Sequence, residues 1–273
     1  MKKKNRLPIA SLVILGLIVL GCLMADMISV KDPSYLDLAN YTKAPSKEFL
    51  FGTDTLGRDI FSCIWHGGRV SILIGLFATL ISTFIAVVYG SISGMASDFI
   101  DTIMMRITEI ILSIPSLLII IFLQAILGAS NIISISIVIG VTSWCSIAKL
   151  VRTEVRQLRK SEYIIASKSM GGGFFFILFH HLLPNFMSSV MFMIVMNIRS
   201  AIVTESTLSF IGLGLPLEII SWGSMLSNAE RALMTNAWWI ILIPGVFLVA
   251  VLLCVSDLGN WLRGRLNPTD KKV

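Results

Sequence analysis

Side chains that could support catalysis or bind a metal are scarce in this sequence. The three histidines, His66, His180 and His181, lie near loops, and the apolar segments hold no nucleophile paired with a base. His180 and His181 are adjacent, so on a helix they would point about 100° apart, and no third metal ligand is near them. The four cysteines are widely spaced and form no CxxC pair. The sequence therefore predicts no catalytic residue, no cofactor and no metal site.

Two charged residues lie in or beside a strongly apolar stretch, MFMIVMNIRSAIVTES, residues 191–206. An arginine inside a membrane costs a few kcal/mol when it faces lipid, so Arg199 is expected to face protein or a water-filled path. One role for Arg199 is a structural ion pair with Glu205 or with an acid on a partner. The other is a place in a solute pathway, where it would attract a carboxylate. The structural role is favoured, because such charges are usually paired.

A charged segment, SEYIIASKSMGGG (residues 161–173), interrupts the apolar pattern. Ser161 is a favourable N-cap, and Glu162 stands in the first turn, where the helix dipole favours an acid. Gly171 can end this short helix, because glycine adopts the left-handed C′ conformation readily. The helix would have a small-residue face able to fit the groove of another protein, and a plain loop on the membrane surface is the alternative. The residues of that face are Ala166, Ser167 and Gly171.

A second polar block, GTDTLGRD, occupies residues 52–59. Gly52 and Gly57 permit turn conformations that other residues resist. Its three charged residues could form an ion-paired clasp in a loop. We favour such a structural staple over direct solute contact, since exposed charges find many partners. The three residues are Asp54, Arg58 and Asp59.

The composition predicts that an all-α integral membrane protein positions these residues. Of 273 residues, 55% are hydrophobic and 14% charged, and the mean hydropathy is +0.85. We divide the chain into residues 1–69, with one spanning segment and a long outer loop, and residues 70–273, with five more. Pro115 and Pro244 lie inside two of the segments. Six segments have about the 20 apolar residues that a spanning helix needs, and they are 7–29, 70–95, 104–127, 132–151, 186–204 and 237–258.

Two further helical segments are expected outside these spans. The fourth segment continues into a basic stripe at helical spacing, which predicts one helix from about 132 to 160, about 43 Å long. The stripe consists of Lys149, Arg152, Arg156 and Arg159. An amphipathic helix is predicted to lie on the outer surface, and its apolar positions are Trp222, Met225, Leu226, Ala229 and Leu233.

The distribution of basic residues predicts the orientation. With both termini in the cytoplasm, 15 of the 22 Lys and Arg residues are cytoplasmic, as the positive-inside rule favours. The basic excess is therefore topological and predicts no nucleic-acid partner. The first segment follows MKKKNR but continues through LMADMI, so we interpret it as an uncleaved anchor rather than a signal peptide.

The stretch EYIIASKSMGGGFFFILFHHLLPN resembles the EAA loop of permease subunits from bacterial ABC importers. The family pattern has an acid, an Ala-Ala pair, a Gly and a distal Leu-Pro-Asn. Glu162, Ala166, Gly171 and 183–185 match it, whereas Ser167 replaces the second alanine. Two added glycines, at 172 and 173, depart from the pattern.

Two further blocks narrow the resemblance. Residues 51–75, FGTDTLGRDIFSCIWHGGRVSILIG, and residues 205–226, ESTLSFIGLGLPLEIISWGSML, are similar to the first and last outer loops of dipeptide, oligopeptide and nickel permeases. With the EAA loop these blocks cover nearly the whole chain in the right order. The match is to the second, C-type permease of such importers.

The resemblance implies a type I ABC importer permease with six transmembrane helices, a multi-pass protein of the bacterial cytoplasmic membrane surrounded by lipid. It implies a second, non-identical permease, two ATP-binding subunits and an extracytoplasmic solute-binding protein as partners. The EAA loop, residues 149–185, would couple to the ATPases through Glu162, Ala166, Ser167 and Gly171. The solute would be a peptide or a nickel or other metal chelate.

The chain itself is not expected to be an enzyme. It has no GxxxxGK[ST] phosphate loop, so a partner must bind the nucleotide. The alternative function is a subunit of an ion-gradient-driven secondary transporter. Such proteins usually show intramembrane acids and repeated halves, and we see no repeat here. Arg199 and Glu205 remain the candidate pathway residues under either function.

Overall fold

The computed structural model describes residues 7–29, 31–128, 130–216, 218–228, 232 and 235–266. Within these ranges the chain is helical, as predicted. The one pairing of extended backbone there is a single bridge between Thr53 and Asp59. A 3₁₀ turn at Leu38–Asn40 and a π-helical turn at Leu178–Leu182 complete the regular structure.

Twelve α-helices are present in the described part of the chain. They are α1 (Ile9–Leu23), α2 (Ala25–Ile28), α3 (Ile60–Met95), α4 (Asp98–Ser113), α5 (Ser116–Leu127), α6 (Ile132–Ser143), α7 (Cys145–Leu158), α8 (Glu162–Ser169), α9 (Phe174–Ile177), α10 (Leu183–Phe210), α11 (Trp222–Leu226) and α12 (Trp239–Leu266).

Three continuous helical runs are long and apolar enough to cross a membrane, namely Ile60–Met95, Phe174–Phe210 and Trp239–Arg265. The second run joins α9, the π turn and α10. Two bent pairs, α4 with α5 and α6 with α7, bring the count to five if each pair is one span. The first helix, α1, is apolar but has only 15 residues. The described helices thus provide three to five spans, with α1 as a shorter sixth element.

The third predicted span is broken rather than kinked. The axes of α4 and α5 differ by 88°. Pro115 has no N–H to continue the helix, and its ring disfavours the helical conformation in the residue before it. Ile114 accordingly has φ −91° and ψ 131°, which is extended backbone.

The continuous helix predicted for residues 132–160 is wrong, because α6 and α7 meet at an angle of 46° beside Trp144. Hydroxyl groups at the end of α6 donate to carbonyls of the preceding turn, which favours bending. Thr142 Oγ1 donates to Val138 O at 2.9 Å, and Ser143 Oγ donates to Ile139 O at 2.7 Å.

Two other predicted boundaries change. The second span begins ten residues earlier than expected, at Ile60, because Asp59 accepts the N–H of Ser62 and caps α3. The division predicted between residues 69 and 70 lies inside α3.

The helix predicted on the outer surface instead packs inside the bundle, because its first residue, Trp222, is fully buried and donates Nε1–H to Ile64 O at 3.0 Å. Ala229 and Leu233 lie outside the described residues.

Helix α3 lies at the centre of the bundle and contacts α1, α6, α7 and α10. Small residues let it approach α7 closely. A Cβ added at Gly90 would lie 2.6 Å from Ala148 O, and one at Gly94 would lie 2.7 Å from Val155 Cβ. The buried residues of α7 pack in one core cluster with Ile164 of α8 and Leu178 of the π-helical turn. The contact between α3 and α7 therefore sets where the α8 region sits.

We predict that Gly90→Ala destabilises the folded protein, because the added methyl group collides with a backbone carbonyl that cannot rotate away. Overpacking of this kind costs about 1–3 kcal/mol. The measurement is the melting temperature of the purified protein in detergent. Gly16→Ala is the matched control, since a Cβ there meets nothing within 4 Å. Equal melting temperatures for the two variants would contradict the close packing.

Candidate functional site

A polar cavity of about 320 Å³ lies where the two bent helix pairs and α10 meet. We call it the break cavity. None of its lining side chains carries a charge, and most of them end in a hydroxyl, an amide or a sulfur atom. They are Leu112, Ser116, Thr142, Ser143, Cys145, Ser146, Ile147, Met193, Met196, Asn197 and Ser200.

The break cavity lies near the middle of each bent pair. The helices before and after the first break have 16 and 12 residues, and those around the second have 12 and 14. Irregular backbone at membrane depth is tolerated where it is buried in protein or lines a water-filled cavity. The two breaks and the uncharged polar side chains of the lining therefore lie at the same place in the bundle.

Arg199 does not line the break cavity. The lining face of α10 carries Met193, Met196, Asn197 and Ser200, whereas Arg199 points to another face and is exposed. It forms no ion pair with any residue in the described ranges. The pair with Glu205 suggested by the sequence is not formed in this structure.

Glu205 is fully buried and is surrounded by serines. Its Oε1 accepts hydrogen bonds from Ser209 Oγ at 2.9 Å and Ser221 Oγ at 2.7 Å. Its Oε2 accepts from Ser71 Oγ at 3.2 Å and Ser206 Oγ at 3.4 Å. Each oxygen of the Glu205 carboxyl group therefore accepts from two hydroxyl groups.

Backbone N–H groups orient three of these hydroxyls. The N–H of Trp222 donates to Ser71 Oγ, that of Ser224 to Ser221 Oγ, and that of Leu215 to Ser209 Oγ. Each of these three serine oxygens therefore accepts a hydrogen bond from the backbone, and its hydroxyl proton is donated to Glu205. This network ties Leu215 and residues 221–224 to α3 and α10, and no cation among the described residues takes part in it.

Helix α8 presents most of its side chains to the outside. Glu162 and Ala166 are exposed, and Met170, just after the helix, is 83% exposed. Ile164 is fully buried against α7 and the Phe174–Phe210 run, and it anchors α8 to the bundle. Ser167 is buried as well. Of the four residues predicted for ATPase coupling, three are thus exposed and one faces the protein.

The end of α8 is a Schellman motif. Gly171 has φ +85°, its N–H donates to Lys168 O, and the N–H of Gly172 donates to Ser167 O. A Cβ at Gly172 would lie 2.7 Å from Ser167 Oγ, so the added glycine here is required by packing. Ser161 holds the N-cap position of α8, as predicted, but its Oγ donates to Leu158 O and makes no capping bond to α8.

The basic stripe of α7 is largely neutralised by two acids at the start of α4. Asp101, which is 1% exposed, accepts from Ser93 Oγ at 2.6 Å and from Arg152 Nε at 2.9 Å, and it also binds Arg156. Asp98 accepts from Arg156 Nη2 at 2.6 Å. These ion pairs join α3, α4 and α7 at the end of the bundle that holds α8.

The block at residues 52–59 forms a compact staple. Arg58 Nε donates to Asp54 Oδ2 at 2.7 Å, and both side chains are buried. Asp59 does not join this pair, because its carboxylate caps α3. Gly57 has φ +75°, and a Cβ there would overlap Asp37 O. Trp239 Nε1 donates to Thr53 O at 3.2 Å, which fastens the staple to α12.

Several residues of these sites were not predicted from the sequence. Asp98 and Asp101 are spaced three apart at a helix start, so their shared face was a usable signal. Asn197 and the serines around Glu205 gave a weaker sequence signal, because isolated hydroxyl and amide residues are common in membrane helices.

A family comparison covers the helices that form the break cavity and α8. The family of binding-protein-dependent transport system inner membrane components matches residues 86–268, which is more than half of the chain. The chain belongs to this family. It is therefore a multi-pass inner-membrane permease component, and the secondary-transporter alternative is set aside.

Individual relatives align over almost the full length of this permease. The oligopeptide transport system permease protein OppC of Bacillus subtilis is 39% identical over 99% of this chain and 88% of its own length. The dipeptide transport system permease protein DppC of the same organism is 35% identical over 97% and 83%. OppC of Escherichia coli is 36% identical over 98% and 88%. These matches confirm the predicted resemblance to C-type permeases of ABC importers.

We predict that Glu205→Ala strongly destabilises the permease. Several buried hydroxyls lose their charged acceptor, and each unsatisfied buried group costs about 1–3 kcal/mol. The measurement is the melting temperature in detergent, compared with Glu109→Ala. Glu109 is an exposed acid paired with Arg106, so its removal should cost less than about 1 kcal/mol. A similar loss for both variants would show that the serine network contributes nothing.

Proposed function

We propose that this chain is one of two non-identical permease subunits of an ATP-driven importer of peptides. The observation that carries this proposal is the match over 99% of the chain to a relative named as an oligopeptide permease. A second relative is named for dipeptides. These names favour peptides over the nickel or metal chelates that the sequence left open. The break cavity is the part of the solute path that this subunit supplies.

The proposed arrangement has six spans, with α1 as the first and both termini in the cytoplasm. The distribution of Lys and Arg supports it, since 15 of the 22 lie in the parts then assigned to the cytoplasm. This orientation puts α8 and the arginine-rich end of α7 inside the cell. The staple at residues 52–59 then lies outside, where the solute-binding protein delivers its cargo. Arg199 is exposed on α10, where an acid of the second permease could pair with it.

Coupling to two ATP-binding subunits is assigned to the exposed surface of α8. Glu162, Ala166 and Gly171 offer that surface, and buried Ile164 connects it to the bundle. A push on α8 is transmitted through Ile164 to α7 and to the helix that starts at Phe174. Both of these helices run to the break cavity. Movement of the ATPases can thereby change the cavity without a direct contact.

We predict that Gly171→Trp uncouples ATP hydrolysis from uptake. A Cβ at Gly171 meets nothing within 4 Å in this chain, so the bulk of the indole would project to where the ATPase docks. Gly171→Asn is the matched control, because asparagine tolerates positive φ better than other residues and adds little volume. The measurements are peptide uptake and ATPase rate in proteoliposomes holding the complete complex.

The expected result is a loss of at least about tenfold in uptake per ATP hydrolysed for the tryptophan variant, with near-normal coupling for the asparagine variant, since a bulky side chain at an interface centre typically costs more than 1.4 kcal/mol. Equal coupling in both variants would show that α8 is not the coupling element. Uptake that persists without ATP would overturn the proposed function itself.

A further inference from the structure

We propose that Asn197 recognises the solute by accepting a hydrogen bond from a main-chain N–H of the peptide in the break cavity. This inference rests on the proposed function and assigns the cavity a chemical preference. It concerns one side-chain oxygen, whose direction is set by a buried neighbour.

Asn197 is held on the lining face of α10, next to Met193 and Ser200 along the helix surface. It is 9% exposed, so its side chain is mostly enclosed by protein. Its Nδ2 donates to Ser82 Oγ of α3 at 2.6 Å. The amide is thus fastened from behind by the central helix of the bundle.

The direction of this amide follows from the bonds of Ser82. The hydroxyl of Ser82 donates its one proton to Thr79 O at 3.1 Å, so its oxygen can only accept from Asn197. An amide turned the other way would set two acceptors against each other. Nδ2 therefore faces Ser82, and Oδ1 is the amide atom left for the cavity. Oδ1 has no hydrogen-bond partner among the residues that the structure describes.

Neighbouring hydroxyls make the cavity a site for donors. Thr142 Oγ1 gives its proton to Val138 O, and Ser143 Oγ gives its proton to Ile139 O. Both oxygens line the cavity with their lone pairs unused by these bonds. With Asn197 Oδ1 they form a set of three acceptors at the two helix breaks.

Three fixed acceptors without charge can bind N–H groups, beside lining hydroxyls such as those of Ser116 and Ser146 that can also donate. Every peptide carries main-chain N–H groups whatever its side chains are, so such a surface accepts many sequences. No lining residue would capture a charged side chain by an ion pair, which suits a path that must release its solute. A site built to hydrogen-bond an N–H discriminates against an analogue that lacks it.

The test is uptake by the complete complex in proteoliposomes of a short peptide and of its analogue with N-methylated main-chain amides. The quantity measured is the uptake efficiency of the unmodified peptide divided by that of the N-methylated analogue. The binding protein is the same in every sample, so its own preference cancels when permease variants are compared. Asn197→Leu removes the acceptor with little change in volume. Thr207→Val is the control on the same helix, because Thr207 lies outside the break cavity and its hydroxyl only donates to Val203 O.

The expected result for Asn197→Leu is a fall of about fivefold to tenfold in the ratio, as for the loss of one hydrogen bond, through poorer uptake of the unmodified peptide alone. Thr207→Val should keep the ratio of the unaltered complex. Ser82→Ala leaves the carbonyl but frees the amide to turn, so it should give an intermediate ratio, and it tests the inference even if the leucine variant does not assemble.

An unchanged ratio in Asn197→Leu, or in Ser82→Ala when the leucine variant does not assemble, would overturn the inference. Equal losses for both peptides would overturn it as well, since they indicate only a damaged path. These outcomes leave the proposed function in place. Absence of ATP-dependent peptide uptake by the unaltered complex would instead overturn the proposed function, and this inference with it.

Discussion

The close approach of α3 to α7 is the contact on which the rest of this structure depends. Gly90 and Gly94 bring the two helices near enough for side chains of α7 to meet the backbone of α3. At that distance Arg152 reaches Asp101, and Arg159 Nη1 donates to the carbonyls of Gly94 and Ala96. In a membrane there is little hydrophobic force between helices, so packing and polar bonds of this kind determine their arrangement. The position of α7 follows, and with it the positions of the bend at Trp144 and of α8.

A mechanical route between the two proposed functional regions results from this packing. Helix α7 begins at Cys145, which lines the break cavity, and ends four residues before Glu162. The Phe174–Phe210 run starts beside α8 and carries Asn197 past the same cavity. Ile164 packs between the two. Two rigid helices thus join the surface proposed for ATPase docking to the acceptors proposed for peptide recognition.

Polar groups inside the apolar layer are handled in two distinct ways. At Glu205, three serine hydroxyls that accept from backbone N–H groups donate to the buried carboxyl group, so both of its oxygens are hydrogen-bonded. At the break cavity the hydroxyls of Thr142 and Ser143 satisfy carbonyls of α6 and keep their oxygens for the cavity. The first arrangement closes a site and holds a segment in place. The second leaves acceptors open in the cavity that we propose as part of the solute path.

The sequence by itself determined the membrane class, the approximate positions of the spans, the family and the small helix at 162–169. These depend on local signals, namely apolar length, basic residues at segment ends, and glycines that end a helix. The Asp54–Arg58 pair was also predictable, because its residues lie four apart in a block whose glycines permit a tight turn. Only the tertiary structure decided that α6 and α7 bend, that Trp222 is buried rather than on the surface, and that Glu205 meets serines instead of Arg199. The last two depend on partners more than ten residues away, such as Ile64 for Trp222 and Ser71 for Glu205, and no periodicity within one helix identifies which residue of another helix will face it.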